Sequence, residues 1–90
     1  MGWSCASAAY ATMERWVAQC RKQTNSSNVF EVKGVRHFFE NPTDEHDDGA
    51  ITGEVFMCLA EGKCRRVDTF RIEPDGSVTH APDFFKKVGA

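Results

Sequence analysis

The sequence holds one leucine, Leu59, in 90 residues. Eight valines and seven phenylalanines carry most of the apolar volume instead. Those shapes suit a pleated surface better than a helix seam, which argues against an all-helical bundle. No stretch approaches the roughly 18 consecutive apolar residues of a membrane span. The opening, Met1-Gly2-Trp3-Ser4-Cys5-Ala6, lacks the basic region and apolar run of a secretion signal. Ala6 also stands where a myristoylation site has Ser or Thr. Without export, the sequon Asn25-Ser26-Ser27 is expected to be unused. An excess of positive charge is missing too. Eleven basic residues face thirteen acidic ones, net −2, which weakens a nucleic-acid reading because phosphate binding wants clustered cations.

Catalytic signatures are equally scarce. There is no G-x-S-x-G and no phosphate loop. The four cysteines (Cys5, Cys20, Cys58, Cys64) include no C-x-x-C, and none pairs with a histidine at zinc-ligand spacing. Cys5 and Cys20 lie fifteen residues apart on one expected helix. That places them about 22 Å apart along its axis, too far to bond. Cys58 and Cys64 flank a turn, and whether they approach depends on its register. In a cytosol all four are expected as thiols, acting as small hydrophobes.

What remains supports one folded domain spanning residues 1–90. Val, Phe, Ile and Leu make 18 of 90 residues, near the border of disorder. Disorder also needs high net charge, and this chain has little, with 11% aromatics. Folding a chain of this size buries roughly 64% of its surface, enough for one thin core.

Residues 4–24 read as an amphipathic helix. Trp3, Ala6, Ala9, Tyr10, Met13, Trp16, Val17 and Cys20 recur at steps of three and four. Ser4 is a fair N-cap, and Arg21 and Lys22 complement the dipole in the last turn. The opposite stripe, Ala8, Ala11, Arg15 and Ala18, reads as a solvated face or as a seat for a second helix.

From Val29 the period becomes two. Strands are expected near 29–32, 35–40, 50–60, 64–73 and 77–80. Lys33-Gly34 as a two-residue turn puts Phe30, Val32, Val35, His37 and Phe39 on one side and Glu31 opposite Arg36. The alternative is one long strand bulged at Gly34. Val67 is out of phase with Phe70 and Ile72, which predicts a bulge near Asp68 or Thr69. Glu73-Pro74-Asp75-Gly76 is a turn signal, and Asp83 to Val88 suits a helical turn. The expected fold is an α+β two-layer sandwich, one long N-terminal helix packed on a four- to five-stranded antiparallel meander.

Three features are candidates for function. The acidic loop 41–49 places Asp44, His46, Asp48 and Gly49 at positions 1, 3, 5 and 6 of a calcium loop. Position 12 is Val55, where a bidentate Glu is needed, so a wet hairpin loop is expected and no metal or cofactor. His37 and His80 fall on strand faces that point inward, where they are candidates to line a pocket under the helix with Tyr10 or Cys58 near. The bland alternative is two hydrogen-bonded core or edge histidines, and no catalytic residue is assigned. The outward face is expected to hold Val29, Glu31, Arg36, Phe38, Thr52, Glu54, Phe56, Thr69 and Arg71. Arg36, Phe38, Phe56 and Arg71 there suit contact with a host protein or a second copy of the chain. Stacking of single-stranded nucleic acid is the second reading of that face, with Arg65-Arg66 and Lys86-Lys87 as phosphate contacts.

The strings Asp48-Gly49-Ala50-Ile51-Thr52-Gly53 and Phe70-Arg71-Ile72-Glu73-Pro74-Asp75-Gly76 occur together with Gly2-Trp3-Ser4-Cys5 and Phe38-Phe39-Glu40. In these the chain resembles short uncharacterised proteins of bacteriophages, prophages and other bacterial mobile elements. The resemblance implies a bacterial cytoplasmic setting and an accessory role, and it transfers no catalytic residue.

Overall fold

A computed structural model describes residues 8–40 and 43–86. The expectations for residues 4–7, for Gly2-Trp3-Ser4-Cys5, for Asn41-Pro42 and for Lys87-Val88 lie outside the described residues. Helix α1 runs Ala8–Thr24 and ends with Arg21 and Lys22 in its last turn. Its buried positions are Ala9, Thr12, Met13, Trp16 and Cys20, the three–four spacing read from the sequence. The stripe Ala8, Ala11, Arg15 and Ala18 is exposed, and α1 is the only helix of more than four residues among the described residues.

Six strands follow: β1 Val29–Val32, β2 Val35–Phe39, β3 Asp44–Glu45, β4 Ile51–Cys58, β5 Cys64–Ile72 and β6 Val78–His80. A four-residue helix, α2, spans Asp83–Lys86. The sheet is antiparallel in the order β1-β2-β4-β5-β6, and β3 pairs with β4 beyond the end of β2. Together these form the expected α+β architecture of a helix on an antiparallel sheet.

The first two strands form a hairpin, not one bulged strand. Lys33 and Gly34 both take positive φ, 52° and 79°, which is what a two-residue turn between right-twisted strands requires. Val32 then opposes Val35, and Glu31 opposes Arg36. The bulge in β5 sits one residue before the predicted place. Val55 pairs with Asp68 and Phe56 with Arg66, so Val67 is the extra residue. The segment read as loop 41–49 contains β3. Asp44 and Glu45 pair with Thr52 and Ile51, and the turn closes through His46 N–H to Ala50 O at 2.9 Å.

The core lies between α1 and the inner sheet face. Trp16, Phe30, Phe39, Val55, Phe70, Ile72 and Phe85 are its largest fully buried members, with Cys20. Phe85 enters from α2 and stacks on Trp16 at 4.5 Å, so the C-terminal turn plugs the gap between helix and sheet. The Trp16 indole Nε1 has no hydrogen-bond partner among the described residues, so this side chain acts by bulk.

Two polar links fix the helix onto the sheet. The buried Thr12 hydroxyl donates to Gly76 O at 2.7 Å, docking α1 on the β5–β6 turn. At the other end the Gln23 amide imitates a neighbouring strand. It donates to Glu31 O at 3.0 Å and accepts from Glu31 N–H at 2.8 Å, while Thr24 Oγ1 donates to Val29 O at 2.7 Å. The free edge of β1 is thereby occupied by the helix terminus.

Candidate functional site

Because α1 covers one side of the sheet, the other side is left without a covering layer among the described residues. Its centre is Phe38 on β2 and Phe56 on β4. They are direct register partners with stacked rings, 5.2 Å between centroids and 16° between planes, and both are half-buried. Such a pair contributes about 0.5 to 1.5 kcal/mol beyond its buried area.

Every arginine identified on this face in the structure has a carboxylate partner. Arg36 meets Glu31 at 3.6 Å across the hairpin. Arg66, beside Phe56, meets Glu54 at 2.8 Å. Arg71 grips Glu73 with two contacts, Nε at 2.8 Å and Nη2 at 3.2 Å, and lies 4.0 Å from Asp48. The hydrogen bond from Arg71, and then that from Thr79, hold the Glu73 carboxyl below its ordinary range. These pairs are solvent-exposed, so each adds little stability, but together they cancel the cationic charge of the face.

Next to the aromatic pair is a shallow hollow of about 550 Å³. Glu40, Asp44, Thr52, Glu54, Thr69 and Arg71 are among its lining residues. Three carboxylates and an already engaged arginine give it an acidic character.

The histidines expected to share a pocket do border one hollow. It measures about 310 Å³ and has an apolar floor of Phe30, Val32, Val55 and Phe84, with His37, Asp68, His80 and Asp83 around it. The segment leading into α2 forms one wall of it, and neither Tyr10 nor Cys58 lines it. Tyr10 packs against the core cluster instead. His37 Nδ1 lies 2.8 Å from Val35 O, so that nitrogen carries the proton, because a carbonyl can only accept. His80 Nε2 lies 2.8 Å from Asp68 Oδ1 and donates to it. Each ring is thus oriented by a neighbour. His80 and Asp68 form a hydrogen-bonded pair beside the hollow, and His37 is tied to its own strand.

Two participants were not legible in the sequence. Asp68 follows the inward alternation of Phe70 and Ile72, but its meeting with His80 depends on β6 lying alongside. Phe84 reaches the hollow because α2 folds back. The adjacent aromatics Phe84-Phe85, just after Pro82, were the available signal for the second. In the acidic loop, Asp48 accepts from Ala50 N–H at 3.0 Å and His46 Nε2 lies 2.8 Å from Thr52 Oγ1, so these side chains serve the turn. No three His, Cys, Asp or Glu side chains gather as a metal site among the described residues. No helix among them is long and apolar enough to cross a membrane.

Comparison with known proteins finds no matching family model, no matching curated protein and no matching solved structure.

Proposed function

We propose that this chain is a small non-enzymatic binding module that docks onto another protein through the outer sheet face. The observation that carries the reading is the stacked Phe38–Phe56 pair on an uncovered sheet, framed by the neutralised pairs Glu31–Arg36 and Glu54–Arg66. A partner of matching chemistry has an apolar group for the two rings and basic side chains for Glu40 and Asp44. A second copy of the chain is one such partner. The neutralised arginines and the acidic hollow weigh against single-stranded nucleic acid, which needs uncommitted cations along its track. A bacterial cytoplasmic setting and a mobile-element origin complete the proposal, on the resemblance alone.

Light scattering behind gel filtration at micromolar concentration tests self-association. A mass of twice 10.1 kDa, lost in the Phe38→Ala/Phe56→Ala double variant, identifies the partner as a second copy. If the mass is 10.1 kDa, a photo-crosslinker placed at Thr52 on the same face, in a bacterial lysate, takes over. A monomer whose crosslinked products are identical in the wild type and the double variant overturns the reading.

The 310 Å³ hollow with its two oriented histidines favours a second reading, a small-molecule site. Aromatic fragments that leave the His37 and His80 ring resonances unmoved at millimolar concentration would end it.

A further inference from the structure

The register of the β4–β5 hairpin bears on its two cysteines. Leu59 N–H donates to Lys63 O at 2.7 Å and closes the loop. The next pair inward is Cys58 opposite Cys64. In an antiparallel ladder, hydrogen-bonded and non-hydrogen-bonded pairs alternate, so Cys58 and Cys64 occupy a non-hydrogen-bonded position. Opposed Cα atoms there lie roughly 4.5 Å apart, and Cβ atoms roughly 4.5 to 5.5 Å. A disulfide accepts Cα separations of roughly 4.4 to 6.8 Å and asks for a slightly closer Cβ pair, which a small closure of the hairpin end supplies.

We propose that Cys58 and Cys64 form a reversible dithiol–disulfide site, oxidised by a small-molecule disulfide such as oxidised glutathione. Both side chains share the outer face with Phe56, since 56, 58 and the partner positions 66 and 64 have the same parity. Cys64 is exposed and Cys58 half-buried, so reagent reaches the pair. Cys20 does not compete: it is buried, and burial pushes its thiol up to about 12. The thiolate, not the thiol, is the nucleophile, so Cys20 is inert near neutral pH.

The exchange runs in two steps. One thiolate, that of Cys64, attacks a sulfur of oxidised glutathione. The glutathione S–S bond breaks, a mixed disulfide forms, and the released glutathione thiolate takes up the proton that Cys64 lost. The Cys58 thiolate then attacks the Cys64 sulfur and expels the second glutathione, which takes the Cys58 proton. The protein loses two protons and two electrons, and the oxidant leaves as two thiols. The second step is fast because the hairpin holds both sulfurs on one face across a loop of five residues, 59–63. The closed bond pins the end of β4 and β5 two positions from Phe56.

The test is equilibration of the folded chain with graded ratios of oxidised to reduced glutathione, quenched with acid and read by mass and peptide mapping. The expected product is a monomer lighter by two hydrogen atoms, with the bond mapped to Cys58–Cys64. Cys20→Ser forms it as the wild type does. Cys58→Ser and Cys64→Ser, checked for native circular dichroism, do not form that bond and instead carry one glutathione on the remaining thiol. Wild-type protein that stays a dithiol in fully oxidised buffer overturns the proposal. So does a lasting glutathione adduct mapped to Cys58 or Cys64 in the wild type, a bond from either of them to Cys5 or Cys20, or a disulfide between two chains.

Discussion

Gly53 is the position where adding one carbon should cost most for its size. It faces Phe70 directly in the β4–β5 ladder. A Cβ built there meets the ring carbons Cε2 and Cζ at 2.5 Å. Carbon atoms settle at roughly 3.5 to 4.0 Å, so the ring has to retreat by about 1 Å. It has nowhere to go. Phe70 is 2% exposed and stands edge-on against Trp16 at 5.3 Å and Phe39 at 5.9 Å. Overpacking of this kind costs about 1 to 3 kcal/mol. The loss of backbone freedom in the unfolded chain returns about 0.4 to 1 kcal/mol to alanine. Gly53→Ala is therefore expected to destabilise by about 1 to 2 kcal/mol. With an unfolding entropy of about 0.19 kcal/mol/K for this length, Tm falls by about 5 to 10 °C. The assay is urea unfolding by fluorescence, where the midpoint should drop with an unchanged slope. In the Phe70→Leu background the cost of Gly53→Ala should shrink by at least about 1 kcal/mol, because the opposing ring is gone. A Gly53→Ala variant as stable as the wild type, or additive costs in the double variant, refutes the packing argument.

Thr12→Val keeps the shape but removes the donor to Gly76 O, so urea unfolding should show a loss of about 1 to 2 kcal/mol. Gln23→Ala uncovers the β1 edge. The Glu31 amide should exchange faster by hydrogen–deuterium exchange, and light scattering should show more self-association. The pH dependence follows from carboxyls held below their ordinary values, Glu73 by Arg71 and Thr79 and Asp75 by Ser77. A lowered folded value adds stability that is present above the ordinary 4.5 and 3.8 and is lost as pH falls through the lowered ones. Acid titration of the urea midpoint should therefore show a decline beginning near pH 4.5, less steep in Glu73→Gln; an unchanged slope in that variant counts against the Arg71–Glu73 contact as its source.

The amino-acid sequence determined the elements and their faces, because periodicity and turn chemistry are local. The three–four spacing from Ala9 to Cys20 set the buried stripe of α1. The alternation in Ile51 to Cys58 placed Val55 inward and Phe56 outward. Lys33-Gly34 set the hairpin, and with it the facing of Glu31 and Arg36. The sheet-face residues Arg36, Phe38, Phe56 and Arg71 were legible for this reason. Contacts between distant segments were not, because nothing local encodes them. The ring stacking of Phe38 on Phe56 depends on strands β2 and β4 pairing in one register. Asp68 meets His80 because the edge strand β6 comes alongside β5, and the extra residue Val67 turns Arg66 and Cys64 to the outer face. Phe85 lies under Trp16 only because the chain turns back after β6. Gln23 reads as a loop-bordering polar residue, and it becomes the cap of a strand edge only once the helix end lies beside β1. The tertiary structure likewise decided that Cys58 faces Cys64, since a turn one residue longer would have set them out of line.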